Sequence, residues 1–157
     1  ARGYPTGASL ISKQLPGPDV LQHPHFLAPI DVTVQQADGQ VRTKMATMIG
    51  ETEKVVDIGP DSLALAAAHL SKANFILWNG PTGIYEEGFV HWTHAIAEIV
   101  ATRVAEGAQA VIGGGDTAAA IESSGISLDA LGFVSTGGGA MLEFLLAGTL
   151  PGIDALE

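Results

Sequence analysis

Apolar residues in this chain come in short runs separated by glycine- and proline-rich breaks, and each run's period assigns an element. Ala110-Val111-Ile112 and Leu131-Gly132-Phe133-Val134 are brief apolar runs. Each leads into a glycine-rich loop, Gly113-Gly114-Gly115-Asp116-Thr117 and Ser135-Thr136-Gly137-Gly138-Gly139, and then into helix-like segments at 118–123 and 140–146. Strand, glycine loop and helix, repeated at once, is the wiring of a parallel α/β sheet. Residues 74–78, apolar after Asn74, predict a buried parallel strand. That run ends in Asn79-Gly80-Pro81-Thr82-Gly83, and a long helix over 89–106 follows, stopped by Gly107. Residues 54–58 predict a short strand. Gly59-Pro60-Asp61-Ser62 then opens a helix over 62–72, with Asp61 or Ser62 bonding its free N–H groups.

The earlier part is less regular. Residues 1–7 read as a loop, and Thr6 or Ser9 caps a short helix over 9–15 that Pro16-Gly17-Pro18 ends. Another short helical turn is expected over 19–24. Residues 26–34 alternate and predict a strand, with Pro29 marking an edge or a bulge. Asp38-Gly39 is a hairpin signal, so 40–46 pairs back, and this polar arm is expected to be peripheral. Leu150-Pro151-Gly152 begins an irregular tail. The order is β-α-β-α-β-α-β-α with four main strands. It predicts one α/β domain over 1–157, a three-layer Rossmann-like parallel sheet with helices on both faces.

Composition narrows the class. With 157 residues, 46% hydrophobic and 15% charged, the chain is long enough for a core and too apolar for disorder. No run of 18 apolar residues and no secretory pattern occurs. Cysteine is absent, which excludes disulfides and thiolate metal sites and fits a cytoplasmic location. Ala1 in place of Met reads as the start of a trimmed piece. A net charge of −10 disfavours nucleic acid and anionic membranes as partners. Arg103 is the last cation, so the glycine-rich stretch has no Lys or Arg. A phosphoryl-transfer site needs cationic side chains as well as a metal ion, and here they must come from elsewhere.

Both glycine loops fall at the carboxyl edge of strands, where such sheets bind ligands. Gly113 to Asp116 fits a pyrophosphate loop, with Asp116 as a hard oxygen ligand for Mg²⁺ and Thr117 capping the helix or donating to a phosphate. The alternative is a tight turn with Asp116 as a cap. Gly113, Gly115 and Ala118 also fit a dinucleotide fingerprint, but the next strand ends in Ser135-Thr136 where that pattern needs an acid, which disfavours a nicotinamide dehydrogenase. Gly137–Gly139 either aims backbone donors at an anion developing in a transition state or permits a close helix–strand crossing. In the loop that begins at Asn79, Asn79 can donate to a phosphate, Glu86 can accept ribose hydroxyls, and Ile84 and Tyr85 can face a base; Glu87 reads as a solvated acid. The histidine pairs His23/His25 and His91/His94 lack a third ligand and read as surface or packing residues.

Together these segments resemble phosphoglycerate kinase. Trp78-Asn79-Gly80-Pro81-Thr82-Gly83-Ile84-Tyr85-Glu86 is similar to that family's W-N-G-P-x-G-V-F-E segment, with Tyr85 where Phe is usual. Gly113-Gly114-Gly115-Asp116-Thr117 resembles its G-G-G-D-[ST] loop. Ser135 to Ala140 with Leu142-Glu143-Phe144-Leu145 resembles its S-T-G-G-G-A-x-L-E-[FL] signature. Asp57-Ile58-Gly59-Pro60 matches its D-I-G-P turn, and Gly7-Ala8-Ser9-Leu10 its G-x-S-L helix start; residues 14–25 look shorter than the family's helix. The resemblance implies the later part of the nucleotide-binding domain of a monomeric glycolytic kinase, incomplete on its N-terminal side. Its partners are Mg²⁺ with ADP or ATP, and 3-phosphoglycerate or 1,3-bisphosphoglycerate held by a preceding domain. It implies that Asn79, Gly80, Pro81, Ile84, Tyr85, Glu86, Gly113, Asp116 and Thr117 bind nucleotide, with Asp116 at the metal. Gly114, Gly115, Gly137 and Gly138 offer N–H groups near the transferred phosphoryl group. The family's two catalytic lysines and essential arginine fall outside the matched segments, so the chain alone is expected to be inactive. A non-catalytic nucleotide-binding module is the competing expectation.

Overall fold

A computed structural model describes residues 3–9 and 16–156. The helix expected over 9–15 lies, apart from Ser9, outside the described residues. The chain forms two compact units, Ala1–Ala66 and Ala67–Glu157.

The first unit is built on an antiparallel sheet of order β2-β1-β3, from β1 (Asp31–Gln35), β2 (Val41–Met45) and β3 (Lys54–Ile58). The Asp38-Gly39 turn closes the expected hairpin: Gln40 N–H donates to Asp38 Oδ1 at 3.0 Å, and β1 and β2 pair from Asp31↔Met45 to Gln35↔Val41. The hairpin is peripheral in one strand only: β2 is an exposed edge. β1 is the central strand, and Val32 and Val34 form a core with Ala46, against which Ile49 and Val55 pack. The strand starts after Pro29, so the proline removes no ladder donor. β3 differs from expectation as well. It pairs antiparallel with β1, with a register shift between Thr33 and Val34, and does not belong to the parallel sheet. The connection 46–53, with its 3-10 turn (Ala46–Met48), carries the chain from β2 to the other side of β1, where β3 fills the open edge of that central strand. The short helical turn expected over 19–24 is helix α1 (Pro18–Leu21).

Helix α2 (Pro60–Leu70) begins two residues earlier than its apolar pattern indicates, and its N-terminus is not capped by Asp61 or Ser62. Asp31 does this across 30 residues of chain. Its carboxylate accepts Asp61 N–H at 3.1 Å and Ser62 N–H at 2.8 Å, and Ser62 Oγ lies 2.8 Å from Oδ1. Burial pushes the Asp31 carboxyl up, but the Ser62 and Asp61 donors outweigh it and hold it below its usual value.

Glu53 is the second buried acid of this unit. The Lys44 ammonium at 2.7 Å, then Gly50 N–H at 2.7 Å, hold it down to about 2 against its burial, with Gln36 Nε2 at 3.4 Å. An acid whose folded value is depressed contributes stability that is full above its unfolded value and is lost as pH falls through the folded one. Acid destabilisation is therefore expected between about pH 4.5 and about pH 2. Urea midpoints measured across that range should fall less steeply in Glu53→Gln; an identical slope in the variant overturns the assignment.

The second unit carries the parallel sheet, order β4-β5-β6, from β4 (Phe75–Asn79), β5 (Gln109–Gly113) and β6 (Phe133–Ser135). Helices α3 (His91–Ala105), α4 (Gly115–Glu122) and α5 (Gly138–Ala147) flank it, each in contact with β5. Ile76, Ala110 and Ile112 are buried, as are Ile96, Ala97 and Val100 of α3 and Ala118, Ala120 and Ile121 of α4. β4 is apolar from Phe75 to Trp78 yet only half covered: Phe75 and Leu77 alternate with Ile76 and stay exposed, as does Phe133 of β6. The strand expected to be buried on both faces packs on the face of Ile76 and leaves the face of Phe75 and Leu77 exposed. The tail is not irregular but forms a short helix, α6 (Pro151–Asp154). The α/β class holds: one unit has a three-stranded parallel sheet flanked by helices, and the other has a small antiparallel sheet. No described helix is long and apolar enough to cross a membrane.

Candidate functional site

Strand register assembles the site. Asn79 is level with Gly113, and Gly113 with Ser135, so the three loops leave neighbouring strands side by side at one edge of the sheet. A parallel sheet whose strands each feed a helix puts all its strand-to-helix loops at this edge.

The loops are tied to one another by backbone and buried hydroxyls. Thr117 is fully buried; its hydroxyl donates to Gly113 O at 2.8 Å and accepts Gly80 N–H at 2.8 Å. The hydroxyl proton is committed inside the protein, so in this conformation the Thr117 side chain orders two loops and offers no donor outward. Trp78 Nε1 donates to Gly80 O at 2.7 Å, and Thr82 N–H to the buried Thr93 Oγ1 at 3.0 Å, which fixes the loop after β4 onto α3. Thr93 carries no signal in the sequence, since a helical threonine is identified as an anchor only once the loop is seen to return to it.

The glycines divide into two kinds. Gly114 N–H donates to Ser135 O at 2.8 Å and links the second loop to the third, while Gly137 N–H donates to Ser135 Oγ at 3.3 Å within the third loop. Gly115 and Gly138 stand at the first position of α4 and α5. N–H groups in a first helical turn have no intrahelical acceptor and form an anion-binding start. Gly138 also meets the demand of a close crossing: a Cβ there would sit 2.7 Å from Gly114 Cα and 2.8 Å from Gly114 N, and would overlap Asn79 Oδ1. Gly113 is pressed likewise by Met141, whereas Gly115 and Gly139 have room for a methyl group.

Asn79 is exposed, with Oδ1 lying among Gly113, Gly114 and Gly138. Pro81, Ile84 and Tyr85 are half-buried on the same loop, and Glu86 and Glu87 are exposed on its 3-10 turn, Tyr85–Glu87. Tyr85 Oη donates to Asp116 Oδ1 at 3.1 Å, which joins this loop to the start of α4. That bond, with burial and the charges of Asp116 and Glu86, raises the Tyr85 phenol above its ordinary value near 10. Asp116 is an exposed carboxylate in the first turn of α4. No group of three or more His, Asp or Glu gathers among the described residues. His94 packs between helices, its Nε2 3.0 Å from Ala120 O and 2.9 Å from Ser123 Oγ.

The family model for phosphoglycerate kinase matches residues 3–148. The chain belongs to the phosphoglycerate kinase family. Phosphoglycerate kinase of Mycobacterium ulcerans is 40% identical over 166 residues, 99% of this chain and 39% of that protein. That of Corynebacterium jeikeium is 38% identical over 165 residues, 100% of this chain and 41% of that protein. The solved structure of phosphoglycerate kinase from Coxiella burnetii superposes with a TM-score of 0.76 at 32% identity, covering 92% of this chain and 39% of that one. The one from Pyrococcus horikoshii gives 0.68 at 29% identity, over 87% of this chain and 34% of that one. The chain thus spans about two-fifths of the length of the phosphoglycerate kinases it matches.

Proposed function

We propose that the carboxyl edge of β4-β5-β6 binds Mg-ADP or Mg-ATP, as the later part of the nucleotide-binding domain of a cytoplasmic phosphoglycerate kinase. The reaction is reversible phosphoryl transfer between 1,3-bisphosphoglycerate and ADP in glycolysis. The observation that carries this reading is the register that sets Asn79, Gly113 and Ser135 level, bringing three loops and two helix starts to one edge. Ile84 and Tyr85 offer the apolar surface for the base and Glu86 accepts the ribose hydroxyls. Asn79, Gly80, Pro81 and Gly113 line the phosphates. The N–H groups of Gly115 and Gly138 face the phosphoryl group in transfer, and Gly114, Gly137 and Thr117 hold those loops in place.

Asp116 suits Mg²⁺. It is an exposed hard-oxygen ligand beside helix-start donors, and Mg²⁺ in nucleotide sites is held by one or two carboxylates together with substrate phosphates. When bound there, the ion neutralises phosphate charge.

The cations are the missing half. From Ala67 onward only Lys72 and Arg103 occur. Lys72 precedes β4, at the end of the strand opposite the loops. Arg103 donates to Ala73 O at 2.9 Å and pairs with Glu106. Neither stands at the carboxyl edge. We expect this chain to bind Mg-ADP weakly and to turn over negligibly, with the substrate and catalytic cations supplied by a preceding domain. Calorimetry with Mg-ADP beside a coupled turnover assay tests both halves. Saturable binding without turnover supports the proposal, normal turnover by the chain overturns its inactivity, and absence of binding overturns the site.

A further inference from the structure

Tyr85 departs from the family segment that it otherwise resembles by one group, its hydroxyl, and that hydroxyl is the one protein donor on the Asp116 carboxylate among the described residues. Oδ1 takes the phenol proton at 3.1 Å, while Oδ2 accepts no hydrogen bond among the described residues. An exposed aspartate otherwise samples several rotamers, and ordering it is a cost that a metal ion must meet on binding. A donor on one oxygen fixes the plane of the carboxylate and leaves the other free. Outer partners of this kind orient metal-binding carboxylates. The bond also spans two elements: Tyr85 begins the turn that carries Glu86, and Asp116 lies in the first turn of α4. The ribose-side loop and the phosphate-side helix are thereby held in one arrangement before any ligand arrives.

We propose that Tyr85 is a positioning residue for the metal, its hydroxyl holding Asp116 so that Oδ2 is presented to the Mg²⁺ of a bound nucleoside diphosphate. This rests on the nucleotide reading of the same edge. Its signature is selective: Tyr85 acts on the ratio of affinities for Mg-ADP and metal-free ADP, and it does so only through Asp116. Tyr85→Phe keeps the ring and removes one charge-assisted hydrogen bond.

The test is a double-mutant cycle read by calorimetry on the whole chain, with Mg-ADP and with ADP in excess chelator, for wild type, Tyr85→Phe, Asp116→Asn and the double variant. A parallel titration with Mn²⁺ alone is followed by its free-ion resonance. Tyr85→Phe is expected to lower the Mg-ADP to metal-free ADP affinity ratio about five-fold, the effect of one such bond, and to weaken Mn²⁺ binding. In the Asp116→Asn background Tyr85→Phe should leave the ratio unchanged. An equal ratio in wild type and Tyr85→Phe overturns the positioning role while leaving nucleotide binding intact. The same loss in both backgrounds also overturns it, since Tyr85 would then act by another route. If no variant binds ADP with or without metal, the nucleotide reading falls and this inference falls with it.

Discussion

Gly138→Ala is expected to destabilise the protein by about 2 kcal/mol and to lower its Mg-ADP affinity. The added Cβ would stand 2.7 Å from Gly114 Cα and 2.8 Å from Gly114 N, closer than real contacts allow. Both atoms are backbone, so no side chain can rotate away, and the start of α5 must move off the loop after β5. Overpacking of this kind typically costs about 1–3 kcal/mol. The displacement also breaks the site, because the same Cβ would overlap Asn79 Oδ1, which lies between the first and second loops. Gly139→Ala is the control. Nothing lies within 4 Å of its Cβ position, and the helix there tolerates a side chain. It should be neutral or stabilising by up to about 1 kcal/mol through the unfolded chain. Urea denaturation separates the two, and equal midpoints for Gly138→Ala and wild type would sink the close-crossing argument.

Asp31→Ala is expected to cost about 2–4 kcal/mol, since it removes a buried acceptor from several donors at once. Asp61 and Ser62 N–H groups open α2, and the Asp31 carboxylate is what they meet. Left dry and unpaired, each carries its own desolvation cost beyond the ordinary loss of a helix cap. Gly59 belongs to the same device, because a Cβ there would run into the Asp31 carboxylate. Asp31→Asn keeps the shape and one acceptor oxygen and should lose less. As the folded Asp31 value is depressed, its contribution is full above its unfolded value near 3.8 and fades as pH falls below that. The gap between wild type and Asp31→Ala should therefore narrow in acid. A constant gap from pH 7 to pH 2 would mean that the carboxylate charge plays no part.

The two cases show where local pattern is informative. Gly138 stands in a run of three glycines that is conspicuous in the sequence, and both readings of that run, backbone donor and close crossing, apply to it. Which glycine does which depends on how near Gly114 comes, a distance set by packing of α5 over β5 and not by either segment. Asp31 gave no signal as a cap. It lies 30 residues before the helix it caps, while Asp61 and Ser62, nearer in sequence, look better suited. Capping needs only an acceptor at the helix start, and the register of β1 against β3 delivers one from afar. The misassigned strand, β3, has the same cause. The segment Lys54–Ile58 states that it is a strand but not which partner it takes, and the open edge of β1 settled that. The half-exposure of β4 is likewise not readable from its apolar run, because a strand's burial depends on what lies on each face.

The sequence by itself determined the strand–loop–helix units, the three loops at the strand ends, the lack of cations after Arg103 and the family. These follow from local period, glycine placement and composition, which survive without tertiary context. Tertiary structure alone decided that Thr117 spends its hydroxyl between Gly80 and Gly113, that Thr93 anchors the first loop, that Tyr85 reaches Asp116, and that Asp31 caps α2. Each is a hydrogen bond between residues 11 to 37 positions apart, apart from Thr117 to Gly113 at four. Contacts at such range form only when strand register brings their ends together, and register is a property of paired strands, not of one.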